Sequence, residues 1–432
     1  MATVIVVGGG FAGLATAARL AKQKHDVTVL ERAASLGGRL LPRAQDGFSW
    51  DRGPTTITMP AVVRDLFRKS GRPLERVLEL EPVTPGRRHV FDRQTWLDLP
   101  FGSRGDQVDA IDRALGNGGE AWAGYVDSLS PVWEVLRQRA VEVPFVGREV
   151  FDHGQWRTLD VRRTLAKRID KWFKDERLRR MAVSRFVLEG QDPRAMPALL
   201  GVADYLERSF GRWRPVGGML ALAAALTARM DDRGIAVRTS SAVDDVTVNA
   251  GAVTGVLLAD GEALAGDVVV WTAPRLPPVL TTESRMTPAI PAAMTYVGLR
   301  GPVPDLPAET LVHNEPLVRV RTGGIAPPGC HAWSLEHRST SEDVLVALAR
   351  QGVDVRRHVV SRIDVSPTET VQESGGSPAG MRWQGWRSGL QRPRAATDVR
   401  GLFRAGNDVH PGPGLAAKGL GAAAVAALVG PA

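Results

Sequence analysis

The run TVIVVGGGFAGLATAARLAKQKHDVTVLE, residues 3–31, constrains this chain more than any other. An apolar β-branched stretch reads as a buried strand, and "LATAARLAKQKH" has the spacing of an amphipathic helix. "DVTVLE" reads as a second strand closed by an acid. Between the first strand and the helix lies Gly8-x-Gly10-x-x-Gly13. Gly8 permits the tight turn, Gly10 lets the backbone approach a pyrophosphate, and Gly13 lets helix and strand pack closely. The helix start then offers free N–H groups and partial positive charge to phosphates. Glu31 stands where a carboxylate accepts hydrogen bonds from a ribose diol and disfavours a 2′-phosphate. A lone GxGxxG is a weak sign, but here strand, helix, strand and acid all fall in place. The expectation is a Rossmann-type α/β fold for FAD or NAD rather than NADP.

The next segment separates the two. "ERAASLGGRLLPRAQDGFSWDRGPTTIT" follows directly and places Gly37-Gly38-Arg39 beside the expected dinucleotide. With "EGQDPRAMPALLG" (189–201), "GRWRPVGGMLALAAAL" (211–226) and "GLFRAGNDVHPGPG" (401–414), this resembles the flavin-dependent amine oxidases, and within them the bacterial phytoene desaturase branch. The resemblance implies FAD, a glutathione reductase-like FAD domain, and an α+β substrate domain made by two insertions. It also implies a set of contacts: Gly8, Gly10, Phe11, Ala12 and Gly13 at the first turn, with Glu31 and Arg32. Gly38 and Arg39 follow, then Gly53, Pro54, Thr55 and Thr56 near the flavin ring, and Val243, whose backbone would meet the adenine.

Near the C-terminus "GLFRAG" reads as a strand and "LAAKGLGAAAVAALV" as a helix. Pro411, Gly412, Pro413 and Gly414 alternate fixed and permissive dihedrals, so the chain turns sharply and starts a helix with unpaired N–H groups. By resemblance that terminus faces the flavin, with Gly406, Asn407 or Asp408, Gly414 and Leu415 as contacts. Relatives often carry an acid where this chain has Asn407. The two glycine-rich turns would then hold one ligand at opposite ends. The expected division is 1–90, 211–275 and 395–432 for FAD, and 91–210 and 276–394 for substrate. A strand, hairpin and strand are expected after Gly234.

Composition narrows the function classes. With 44% apolar and 24% charged residues, the chain is that of a globular protein without a membrane-spanning run. The opening residues leave no room for a signal peptide, which predicts a cytoplasmic protein. Cys330 is the only cysteine, and the eight histidines are scattered. No metal is therefore expected. The net charge of +8 accompanies only seven lysines among 55 basic residues, which reads as composition bias and not as a nucleic-acid partner. "VRRTLAKRIDKWFKDERLRRM" reads as one basic amphipathic helix. Val161, Leu165, Ile169 and Trp172/Phe173 lie on one face and Arg163, Lys167, Lys171 and Lys174 on another. Such a helix can rest on anionic lipid, a peripheral membrane contact that suits a hydrophobic small-molecule substrate.

No catalytic acid–base pair is visible; His410 in its tight turn reads as a structural hydrogen-bonder. The leading expectation is an FAD-dependent oxidoreductase, phytoene dehydrogenase-like, that moves a hydride between a hydrophobic molecule and flavin N5. A redox-neutral FAD isomerase and a non-catalytic carrier of prenylated partners are the alternatives. Retention of Glu31, Gly38-Arg39 and the closing turn argues against the carrier. "ALGNGGEAW" at 114–122 follows a helical pattern and is no second dinucleotide site.

Overall fold

The computed structural model describes residues 1–281, 286–338 and 341–432, so six residues of the expected second insertion lie outside the described residues. A five-stranded parallel sheet organises the nucleotide-type half. Its order is Ala236–Arg238, Asp26–Leu30, Thr3–Val7, Val268–Trp271 and Leu402–Arg404. Such a sheet, covered on both faces, needs continuous apolar strands. Val4, Val6, Val29, Val269 and Val270 are accordingly all fully buried. Glu31 is the first residue beyond its strand.

The opening helix, Phe11–Lys22, sits directly on this sheet, with Leu14, Ala15, Ala17, Ala18 and Leu20 buried. Gly13 makes the approach possible. A Cβ there would stand 1.8 Å from the Gly8 carbonyl oxygen, while Gly8 itself has φ +106°. Helix Gly218–Asp232 and the closing helix Leu415–Val429 pack into the same core through Leu222, Leu226, Ala422 and Val425. The segments at the two ends of the chain are knitted together. Gln23 Nε2 donates to the Ala426 carbonyl at 3.1 Å, and the His25 ring meets the Gly430 carbonyl at 2.8 Å.

After Ala236–Arg238 the chain forms the expected hairpin, Val243–Asn249 with Ala252–Leu258, then Ala263–Ala265 and the return strand. The other half is a seven-stranded mixed sheet under a helical layer. Its order is 359–365, 293–300, 330–337, 318–321, 309–312, 87–90 and 96–99. The division expected after residue 90 cuts through this sheet, because Arg87–Val90 pairs with Glu309–Val312 and Trp96–Leu99. A buried ion pair between Arg87 and Glu309 fixes that strand to its neighbour.

The basic segment is not one helix. Leu165–Trp172 ends where Phe173 turns into the core, and Glu176–Leu188 starts afresh with Asp175 accepting from the Arg177 backbone N–H. Leu165, Ile169 and Phe173 pack inside the protein, so its apolar face is already covered. Arg168 is buried too and donates to Ser128 Oγ at 2.7 Å. Lys167, Lys171 and Lys174 remain exposed.

Gly13→Ala forces apart the opening strand and helix and lowers stability by roughly 2–3 kcal/mol, measured by urea unfolding. An unchanged unfolding midpoint would show that the backbone shifts without cost.

Candidate active site

The first turn and the acid form one cluster. Glu31 is buried and accepts twice from backbone: Gly9 N–H to Oε2 at 2.6 Å and Ala33 N–H to Oε1 at 2.8 Å. Gly10, the N-cap of the opening helix, receives no side-chain cap, so the first-turn N–H groups stay free. A Cβ on Gly10 would meet nothing within 4 Å, so the backbone there faces open space that any side chain would begin to fill. Phe11 and Ala12 are buried in the helix start. Residues 240–241 bind back to the acid's strand end, with Ser241 N–H donating to the Glu31 carbonyl at 2.9 Å. That brings Val243, at the head of the hairpin, towards this cluster.

The Gly37-Gly38-Arg39 segment joins the first turn to the closing one. Gly37 bridges Gly10, and its N–H donates to the Gly9 carbonyl at 2.8 Å. Two residues on, Arg39 lines a cavity of about 610 Å³. Gly53, Pro54, Thr55, Thr56, Asn407, Gly414 and Leu415 line the same cavity. Arg39 is held by Ser374 Oγ and the Arg52 carbonyl, and burial lowers its pKa. Arg32 instead points outward and donates to the Glu373 carbonyl at 2.6 Å. Gly406 lies just behind the closing turn and does not line the cavity.

The structure distinguishes Asn407 from Asp408. Asp408 accepts from the buried Arg404 at 2.6 Å and is turned away from the cavity lining. Asn407 lines the cavity, and its Oδ1 is buried with no hydrogen-bond partner among the described residues. An orphan acceptor of that kind asks for a donor. His410 has the structural role expected of it: its ring bonds the Ala140 carbonyl and stacks on Phe145 at 4.5 Å. Burial lowers its pKa to about 4, so it stays neutral.

Lys418 was missed by sequence reasoning. It follows the turn within an Ala- and Gly-rich helix, and a lone lysine there was the available signal. It lines the cavity and meets no hydrogen-bond or ion-pair partner among the described residues. Burial, with the charge of Arg39 second, lowers its pKa to about 8. Gly414, the N-cap of the same helix, supplies no side-chain cap. Free N–H groups and an ammonium thus put positive charge at one end of the cavity.

Sequence comparison matches residues 11–291 to the family described as flavin containing amine oxidoreductase. A zeta-carotene-forming phytoene desaturase of Myxococcus xanthus is 31% identical over 327 residues, 70% of this chain and 61% of that protein. The matched stretch therefore spans less than two thirds of that relative. A 4,4′-diapolycopene oxygenase of a Methylomonas species is 23% identical over 95% of both chains. Cyclohexylamine oxidase from Brevibacterium oxydans shares the fold, with a TM-score of 0.65 at 18% identity over 99% of both chains.

Replacing the unpaired ammonium by an isosteric thioether, Lys418→Met, stabilises cofactor-stripped protein by roughly 1–3 kcal/mol at pH 7. Because the folded-state pKa is depressed, the wild type regains stability as pH rises from about 8 towards the ordinary lysine value, and the difference closes. Parallel melts at pH 7 and pH 10 test this, and equal differences at both would place the ammonium in water.

Proposed function

This chain belongs to the flavin containing amine oxidoreductase family, and we propose that it is an FAD-dependent oxidoreductase, phytoene dehydrogenase-like, acting on a hydrophobic polyprenoid-type molecule. The observation that carries this reading is one cavity shared by Arg39, the Gly53–Thr56 loop, Asn407 and the closing helix start, joined to the Gly8–Gly13 turn through Gly37–Gly38. The residues present fit FAD. The open backbone at Gly10 leaves a cradle for the pyrophosphate, and the orphan Oδ1 of Asn407 offers an acceptor to a ribityl hydroxyl or ring N–H.

In this reading Gly8, Gly10, Phe11, Ala12 and Gly13 present backbone N–H groups to the phosphates. Glu31, held rigid by Gly9 and Ala33, keeps lone pairs for the ribose diol, with Arg32 beside it and the Val243 backbone at the adenine. Gly38 and Arg39 run along the linker. Gly53 to Thr56, Asn407, Gly414 and Leu415 surround the ring, while Gly406 stands behind the turn and Asp408 acts at one remove by fixing the closing turn to Arg404. The FAD half would comprise about 1–86, 211–275 and 395–432, and the substrate half about 87–210 and 276–394. Bound flavin supplies a hydride acceptor, so the protein need only bind, orient and exclude water. Lys418 and the free N–H groups of the closing helix hold positive charge where electron density collects. Trp133, Phe145, Phe151 and Trp156 line the cavity with apolar surface for the substrate's body.

Among the described residues no helix is long and apolar enough to cross a membrane. Delivery of an apolar substrate would instead use peripheral contact through the exposed Lys167, Lys171 and Lys174.

Purified protein is expected to be yellow, to carry close to one FAD per chain, and to bleach anaerobically with a polyene precursor. Colourless protein that cannot be reconstituted sinks the reading, and turnover without net oxidation turns it towards isomerisation. Glu31→Arg replaces the ribose acceptor by a cation and reduces bound FAD at least tenfold by absorbance; full retention removes that residue's role. Glutamine at Arg163, Lys167, Lys171 and Lys174 leaves FAD content unchanged but weakens sedimentation with anionic vesicles at least tenfold, at about 1 kcal/mol per basic residue. Undiminished sedimentation excludes this face as the membrane contact.

A further inference from the structure

The cavity has two unlike sides. Its apolar side would suit a plain hydrocarbon. Another part of its lining is built from arginines and glutamates contributed by strands and helices far apart in sequence. Arg87 pairs with Glu207 at 3.1 Å and with Glu309 at 2.5 Å. Arg185 reaches Glu207 at 3.1 Å, and Arg212 reaches Glu309 at 2.8 Å. Arg319 and Arg321 share Glu336, at 2.8 and 3.2 Å. Five arginines thus face three carboxylates.

The hydrogen-bond count leans the same way. Among the described residues, Arg185 Nη1, Arg319 Nε and Arg321 Nε are buried donors without acceptors, against one orphan acceptor in the network, Glu309 Oε2. Glu189 lines the same wall, and its carboxyl makes no ion pair among the described residues. Burial raises its pKa, against the lowering influence of Arg185 and Arg319. Buried donors left unpaired cost about 1–3 kcal/mol each, and the excess of arginines over carboxylates in this wall costs more. A hydrocarbon would worsen both. A group bearing two anionic oxygens would offset the excess charge through charge-assisted bonds to the arginines that line the cavity.

We propose that this arginine wall binds a carboxylate, and that the substrate is an amphiphile with an apolar isoprenoid-like body and an acidic end. The inference rests on the functional reading above and names its substrate class. Arg185 and Arg319 are the specificity-determining residues. Each can be changed without stranding its partner, since Glu207 keeps Arg87 and Glu336 keeps Arg321.

The test is a calorimetric titration of the FAD-loaded protein with phytanate and with its methyl ester, which share one body and differ in charge. The acid is expected to bind at least tenfold more tightly than the ester. In Arg185→Gln and in Arg319→Gln that preference should fall below threefold, while Phe151→Ala should weaken acid and ester alike. Equal affinity for acid and ester in the wild type overturns the proposal, as does a preference that survives both arginine changes. Heat of binding does not depend on flavin colour. Loss of the acid preference in protein that retains FAD therefore refutes the carboxylate alone, whereas absence of FAD with the preference intact refutes only the redox reading.

Discussion

The contact between Gly13 and the Gly8 carbonyl sets the distance from which everything else in the nucleotide half is measured. With no Cβ at Gly13, the opening helix settles on the sheet closely enough for Leu14, Ala17, Ala18 and Leu20 to be sealed beneath it. The same closeness aims the helix start at the gap left by Gly10. The closing helix packs on the opening one, so its own start inherits that position. Asn407, Gly414 and Lys418 reach the cavity because two helices and one sheet are held at that spacing. Close packing transmits a small displacement at one point to distant side chains.

The nucleotide half was readable because its signals are local. Strand, turn, helix and acid occupy 29 consecutive residues, and the hairpin after Arg238 is punctuated by turn residues on both sides. Contiguity also explains why the closing turn could be recognised. The misreading at residues 161–181 came from treating a continuous charge pattern as a continuous helix. Phe173 fits the apolar face of either arrangement, and only the pull of the core on that ring, with Asp175 free to cap a new helix, chooses the break.

Other features were beyond local reading for the opposite reason. The arginine wall draws Arg87, Arg185, Arg212, Arg319 and Arg321 from strands and helices whose sequences are ordinary. In a chain with abundant arginine, none stands out until the seven-stranded sheet, helix Glu176–Leu188 and strand Arg212–Pro215 come together. The choice between Asn407 and Asp408 likewise turned on Arg404, whose buried guanidinium holds the aspartate. Lys418 alone could have been found, as a cation where a helix is otherwise built from alanine, glycine, leucine and valine.

The knitting of residues 23–25 to residues 426–430 has a consequence for how the molecule comes into being. A chain is synthesised in one direction, so its first glycine turn emerges long before the segment that completes the enclosure. Until strand Leu402–Arg404 and the helix after it have emerged, the parallel sheet lacks an edge and the ligand chamber lacks its floor. On the proposed reading, cofactor loading would follow translation of that segment, and a chain stopped between the fingerprint and residue 402 would keep the first turn without the enclosure.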